Sequence, residues 1–182
     1  SLAVKEGEAG YVPFTRPDDI EFLRGLLQDP RIEKVAHNAV FEYIIARGCG
    51  ITIHNLHCTK LMAAVLRTSS THLKRLTWQE LGVEQTRYED VDWTDLAAVV
   101  QYGSADSDLA LRLFHRLRAS LVEEGLWELY EMERALLPVL AEMTIRGIQF
   151  DRVPVDALGE RLKVQAIEVE AGIRAHFQLG GE

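Results

Sequence analysis

The sequence predicts an α/β domain that passes into an all-helical extension. Three observations predict it. Short strand-like runs alternate with amphipathic helical runs through the first half of the chain. From Trp93 onward the pattern is almost wholly helical. The composition is that of a packed soluble protein: 47% of the 182 residues are hydrophobic and 26% charged. No apolar run approaches the ~18–20 residues of a membrane span.

Each element has a local reason. Ser1–Lys5 and Tyr11–Phe14 read as two short strands, and the turn-rich Glu6–Gly10 between them predicts a hairpin. The chain opens directly on a strand-like stretch, which leads us to expect further sequence upstream. Thr15 to Asp19 is a helix start, with a cap candidate, an early proline and two acids facing the helix dipole. Ile20, Leu23 and Leu27 make the apolar stripe of that helix, and Asp29-Pro30 ends it. Lys34–Ala36 is a short strand. Ala39–Arg47 is a helix stopped by Gly48 and Gly50. Ile51–Ile53 reads as another strand and Thr59–Arg67 as a helix. His72–Leu81 is a helix closed by Gly82. Trp93–Glu124 is helical, with a break expected near Gly103-Ser104. Leu129, Met132, Leu136, Leu140 and Met143 mark the next helix, expected to kink before Pro138 and to end at Gly147. Val155, Leu158, Leu162, Val169, Ile173 and Phe177 mark a last one. The last two helices are expected to form a hairpin-like tail.

Charge and cysteine content narrow the function. A net charge of −8 argues against holding nucleic acid by bulk positive charge, but not against carboxylates that hold divalent metals to phosphate. Two cysteines, Cys49 and Cys58, make a disulfide scaffold improbable and favour a reducing compartment. Ser1–Phe14 has no cationic start of the signal-peptide kind, and the expected location is cytoplasmic, with no membrane partner.

Two segments can carry chemistry. In His37-Asn38-Ala39-Val40-Phe41-Glu42, at a strand-to-helix junction, Asn38 and Glu42 are four apart and share a helical face. In Tyr102-Gly103-Ser104-Ala105-Asp106 the same spacing brings a phenol beside a carboxylate. A carboxylate anchors Mg²⁺ or Mn²⁺, a phenol orients an attacking water, and two-metal phosphodiester hydrolysis needs several carboxylates around metals ~3.5–4 Å apart. Solvated helix acids are the ordinary alternative.

In that order and context, the chain resembles the proofreading 3′–5′ exonuclease domain of family A DNA polymerases, running into the first helices of the polymerase part. Ser1–Val4 with Tyr11–Pro13 looks like the second and third strands of that domain. Lys34–Glu42 looks like its second motif, Asn-x-x-x-(Phe/Tyr)-Asp, and Tyr102-x-x-x-Asp106 like its third. His72–Gly82 is similar to a family helix ending in Leu-Gly. Glu131–Leu140, and Arg146–Ile148 with Asp151, resemble the exit towards the polymerase thumb. The resemblance implies a ribonuclease-H-like α/β fold of the tyrosine branch, lacking its first strand. Residues 1–125 would be the exonuclease-like domain and 126–182 the helical start of the thumb. It implies Asp106 and Glu42 as metal ligands, Tyr102 as orienter of the hydrolytic water, and His37, Asn38 and Phe41 as nucleic-acid contacts. The cofactor implied is Mg²⁺ or Mn²⁺ in a two-metal site. The partners implied are a single-stranded DNA 3′ end and the rest of a polymerase polypeptide, associated with the nucleoid.

Two departures weaken the catalytic expectation. The family's first motif, Asp-x-Glu on a strand, has no counterpart; Asp19-Ile20-Glu21 has the letters but opens a helix. Glu42 stands where the family has aspartate, and an extra methylene moves a carboxylate by more than ~1 Å where ~0.5 Å matters. The expectation is an exonuclease-like domain that catalyses weakly or not at all on its own. A silent scaffold and an RNA-trimming 3′-exonuclease are the alternatives.

Other signals are weaker. Cys49, His54, His57 and Cys58 fall within ten residues, but the adjacency of His57 and Cys58 suits zinc poorly. Ser104 and His115 lack the rest of a nucleophile constellation. Trp78, Trp93 and Trp127 are expected in packing, with base stacking the rarer role. Arg112, Arg116 and Arg118 are expected on a solvated face.

Overall fold

The computed structural model describes residues 1–12 and 17–177. It is a mixed α/β structure with a helical majority, as expected, and its strands are few. A first compact unit spans Ser1–Ile145, and a second begins at Arg146.

The chain starts with an antiparallel hairpin, β1 (Leu2–Lys5) and β2 (Glu8–Gly10), in which Leu2 faces Gly10 and Ala3 faces Ala9. The second strand was expected at Tyr11–Phe14. Gly7, at φ +76°, turns the chain so tightly that pairing resumes at Glu8. Pro13 and Phe14 lie outside the described residues, as do Thr15 and Arg16 of the expected helix start.

Helix α1 (Pro17–Gln28) begins on its proline and buries Leu23. Strand β3 (Lys34–Ala36) pairs in parallel with β4 (Leu56–Cys58), Val35 facing His57. Helix α2 (Ala39–Gly48) lies between them in sequence, so β3–α2–β4 is a crossover unit. The strand expected at Ile51–Ile53 is not formed. Ile51 and Ile53 are buried, packing with Tyr43, Ala46 and Ala141. Their neighbourhood hydrogen-bonds to helix ends: Ile51 N–H donates to Ala46 O and His54 N–H to Leu27 O. Alternating burial there reflects an extended loop threaded through a core rather than a ladder.

Helices α3 (Thr59–Val65) and α4 (Leu73–Leu81) follow, α4 closed by Gly82 at φ +67°. After a single 3₁₀ turn at Tyr88–Asp90 comes α5 (Leu96–Glu123), capped by Asp95, whose carboxylate accepts from Ala97 N–H at 2.9 Å. The break expected at Gly103-Ser104 is absent. Gly103 sits inside the helix beside the hairpin, where a Cβ would make ordinary contact with Tyr11 Cδ2 at 3.4 Å and Ser1 at 3.6 Å. Leu109, Leu113, Leu117 and Leu121 recur every fourth residue on the buried face of α5. Of these, Leu113, Leu117 and Leu121 form the main core with Met62, Leu76, Phe114 and Tyr130. Each fully buried leucine contributes about 1.5–3 kcal/mol.

Helix α6 (Trp127–Arg146) runs through Pro138 and belongs almost wholly to the first unit, placing Tyr130 in the main core and Ala141 in the second cluster. Its buried face therefore packs within the first unit. Gly147 then turns at φ +65°, and α7 (Arg152–His176) starts from Asp151, which caps Val153 N–H at 3.0 Å.

Candidate functional site

Helix α5 sets Tyr102 and Asp106 one turn apart, near enough that each side chain acts on the other's proton affinity. Gln85, on the segment after α4, donates through Nε2 to Asp106 Oδ1 at 3.0 Å, and its own Oε1 accepts from the Thr77 hydroxyl at 3.2 Å. The amide thereby locks the carboxylate to α4. Lys74 stands 5.1 Å from the centre of the Tyr102 ring, and Trp93 meets that ring edge-on at 5.7 Å. Burial raises the Asp106 carboxyl above its usual range, while the Lys74 charge and the bonds from Tyr102 and Gln85 oppose the rise. Burial likewise raises the Tyr102 phenol, reinforced by the negative charge of Asp106. Such a phenol stays protonated at neutral pH and keeps a proton to donate.

The second group sits where β3 enters α2. Asn38, in the left-handed region at φ 74°, makes the bend, as asparagine tolerates better than most residues. Its Oδ1 accepts from Lys60 Nζ at 3.3 Å. His37 Nδ1 stands 2.9 Å from the Thr59 hydroxyl, and burial pushes the imidazole down to about 4. Phe41 is exposed. Burial pushes the Glu42 carboxyl up to about 7, and its Oε2 is buried without a hydrogen-bond partner among the described residues.

The sequence-expected residues therefore fall into two groups: Tyr102 with Asp106, and His37, Asn38, Phe41 and Glu42 around the start of α2. The groups acting on the Asp106 carboxyl are Lys74, Tyr102 and Gln85; Glu42 is not one of them. Burial and its own backbone act on Glu42. The first turn of α4 is a shared neighbour, since His72 acts on the charge of His37 and Lys74 on that of Asp106. No group of three His, Cys, Asp or Glu side chains that could hold a metal forms among the described residues. Asp106 already accepts from the Gln85 amide and is influenced by the Tyr102 phenol and the Lys74 ammonium, and Glu42 is desolvated. The side chains described thus do not by themselves make a set that fits a divalent cation. The cysteines and histidines near Cys49 make no such set either: Cys49 is exposed and Cys58 buried.

Sequence reasoning missed Lys74 and Gln85. A signal for Lys74 was present, because it shares a face of α4 with Trp78, four residues on, away from inward-facing Leu73, Leu76 and Thr77. Gln85 lies in an irregular segment with no periodicity to mark it. Trp78 and Trp93, expected in packing, are 62% and 47% exposed. Trp127 does pack, 5.1 Å from the Tyr130 ring. The three arginines of α5 are paired: Arg112 with Glu6 and Asp108, Arg116 with Glu80, and Arg118 with Glu33.

Comparison with known proteins places these observations. Residues 1–122 match the family model described as the 3′–5′ exonuclease of DNA polymerase A. A DNA polymerase I of Rhizobium leguminosarum is 33% identical over 178 residues, covering 91% of this chain. The chain spans only 17% of that relative's length. Among solved structures, NrnC of Brucella melitensis is 26% identical, with a TM-score of 0.63, covering 69% of this chain and 64% of its own. NrnC has also been solved with pGG and with Mg²⁺. The polymerase domain of Pol1 from M. smegmatis, in complex with DNA primer-template and dNTP, shares the fold at 24% identity and a TM-score of 0.67. That match covers 89% of this chain and 27% of the other. No helix among the described residues is long and apolar enough to cross a membrane.

Proposed function

Because the chain belongs to the 3′–5′ exonuclease family of family A DNA polymerases, we propose that it binds the single-stranded 3′ end of DNA as one part of a larger polymerase polypeptide, with little or no hydrolysis of its own. Residues 1–125 are the exonuclease-like domain in this reading, and 126–182 open the thumb. The observation that carries it is the Tyr102–Asp106 pair, held by Gln85 at the family's motif spacing. Asp106 is the intact acid and Tyr102 the group that would orient water. Exposed Phe41 and the amide of Asn38 are suited to contact terminal nucleotides, with His37 as their neutral, desolvated support.

Weak catalysis follows from the carboxylates. Mg²⁺ and Mn²⁺ are hard cations that prefer several charged oxygens. A Glu42 carboxyl pushed up to about 7 carries only about half its charge at neutral pH, where a metal would need all of it. Mg²⁺ or Mn²⁺ is the ion the family's chemistry calls for. The polymerase reading is preferred to the RNA-exonuclease one because a DNA polymerase I of Rhizobium leguminosarum matches 91% of the chain, through the segment that follows residue 125.

The test has two arms. In a binding assay, a single-stranded oligonucleotide with a free 3′-hydroxyl should outcompete a blunt duplex of the same sequence; equal competition rejects the reading. In single-turnover digestion with Mn²⁺, any shortening should be slow and should vanish in Asp106→Ala. Shortening that survives that substitution removes Asp106 from the chemistry.

A further inference from the structure

Helix α4 divides its residues between two environments. Leu73, Leu76 and Leu81 join the main core. Lys74, Arg75 and Trp78 turn outward and, with Glu84, Gln85 and Arg87, line an open groove of about 390 Å³. Three of these six side chains are cations and one is an anion, within a chain whose net charge is −8. Arg75 and Arg87 have no carboxylate partner among the described residues, whereas the arginines of α5 are all paired. Unpaired arginines around an indole that is 62% exposed are an arrangement without a packing explanation. Proteins that bind single strands use just these parts: cations that follow the phosphates and aromatic faces on which bases stack. The groove also adjoins Tyr102 and Asp106, because Gln85 bonds Asp106 and Lys74 stands over the Tyr102 ring.

We propose that this groove is a track for single-stranded DNA leading to Asp106. The Trp78 indole stacks one base, and Arg75 and Arg87 hold the flanking phosphates. Lys74 stands at the end nearest Tyr102. The track rests on the reading that this chain binds single-stranded ends, and it adds a route that neither motif supplies.

The test measures fluorescence anisotropy of a labelled oligothymidylate with the full chain in EDTA across a salt series. Trp78→Ala should weaken binding by about fivefold or more, and Trp78→Phe should restore most of it. Replacing both Arg75 and Arg87 with alanine should lower the slope of log affinity against log salt by about 1.4, some 0.7 for each phosphate lost. If the unaltered chain binds and all these variants match it, the groove is not a track, while the proposed function stands. If only the arginine variant weakens, the groove is a cation patch and the stacking platform is overturned. If the unaltered chain fails to bind the oligomer at all, both readings fall together.

Discussion

His57 shows how one buried side chain organises its surroundings. It is almost fully buried, between Phe114, Trp127 and Tyr130. The Tyr130 hydroxyl accepts from Cys58 N–H at 3.2 Å and stands 3.0 Å from His57 Nδ1, to which its proton is free to go. Burial, aided by the Arg134 charge, pushes the imidazole down to about 4. Folding therefore favours neutral His57, and its contribution is complete above the unfolded value near 6.5. As pH falls from 6.5 towards 4 the unfolded chain binds the proton first, and up to about 3 kcal/mol is lost. Glu42, raised to about 7, works in the opposite direction over the same window, so the His57 share is read as the difference between the wild-type and His57→Gln melting curves, the wild type losing more stability than the variant as pH falls. The variant's residual slope combines Glu42 with His37, which is displaced in the same direction as His57. Removing the phenol is a separate matter: Tyr130→Phe leaves two buried groups without their partner and should cost about 1–3 kcal/mol in urea unfolding at pH 7.

Among elements, α5 bears most of the architecture, because its buried face meets α3, α4 and the main core while its opposite end holds the Tyr102–Asp106 pair. Its start depends on Asp95. Asp95→Ala should cost about 1 kcal/mol, read as a lower urea midpoint at unchanged slope. Most elements were legible in the sequence, since α1, α2, α4 and α5 have apolar stripes bounded by glycine, proline or aspartate. The failures have distinct causes. Ile51 and Ile53 alternate like strand residues because both are buried, but burial period says nothing of backbone partners. His57, in the real strand β4, has a polar letter that hides it. Gly103 resembles a helix breaker by propensity, yet α5 continues through it, because a single glycine costs a helix only about 1 kcal/mol and the buried leucines beyond it outweigh that. The site was half legible. Tyr102 and Asp106 are joined by helical spacing, which a sequence displays. The tie from Gln85 comes from a loop whose course only the fold determines.

At the scale of the molecule, stability is unevenly spread. The main core gathers α3, α4, α5 and α6 around Leu113, Leu117 and Tyr130. Helix α7 has no buried residue along its length. Taken by itself, a helix with no buried residue is only marginally stable. Amide exchange should therefore be slowest in Leu109–Leu121 and faster by orders of magnitude across α7; equal protection in both would contradict this distribution. Charge is uneven as well. The groove along α4 is net positive, so the remainder of the chain is more acidic than its total of −8 suggests. A polyanion diffusing up to such a protein in dilute buffer is repelled over most approaches and drawn in along one. Orientation is thus selected before any base or phosphate is touched, and added electrolyte should erode that selection along with the attraction itself.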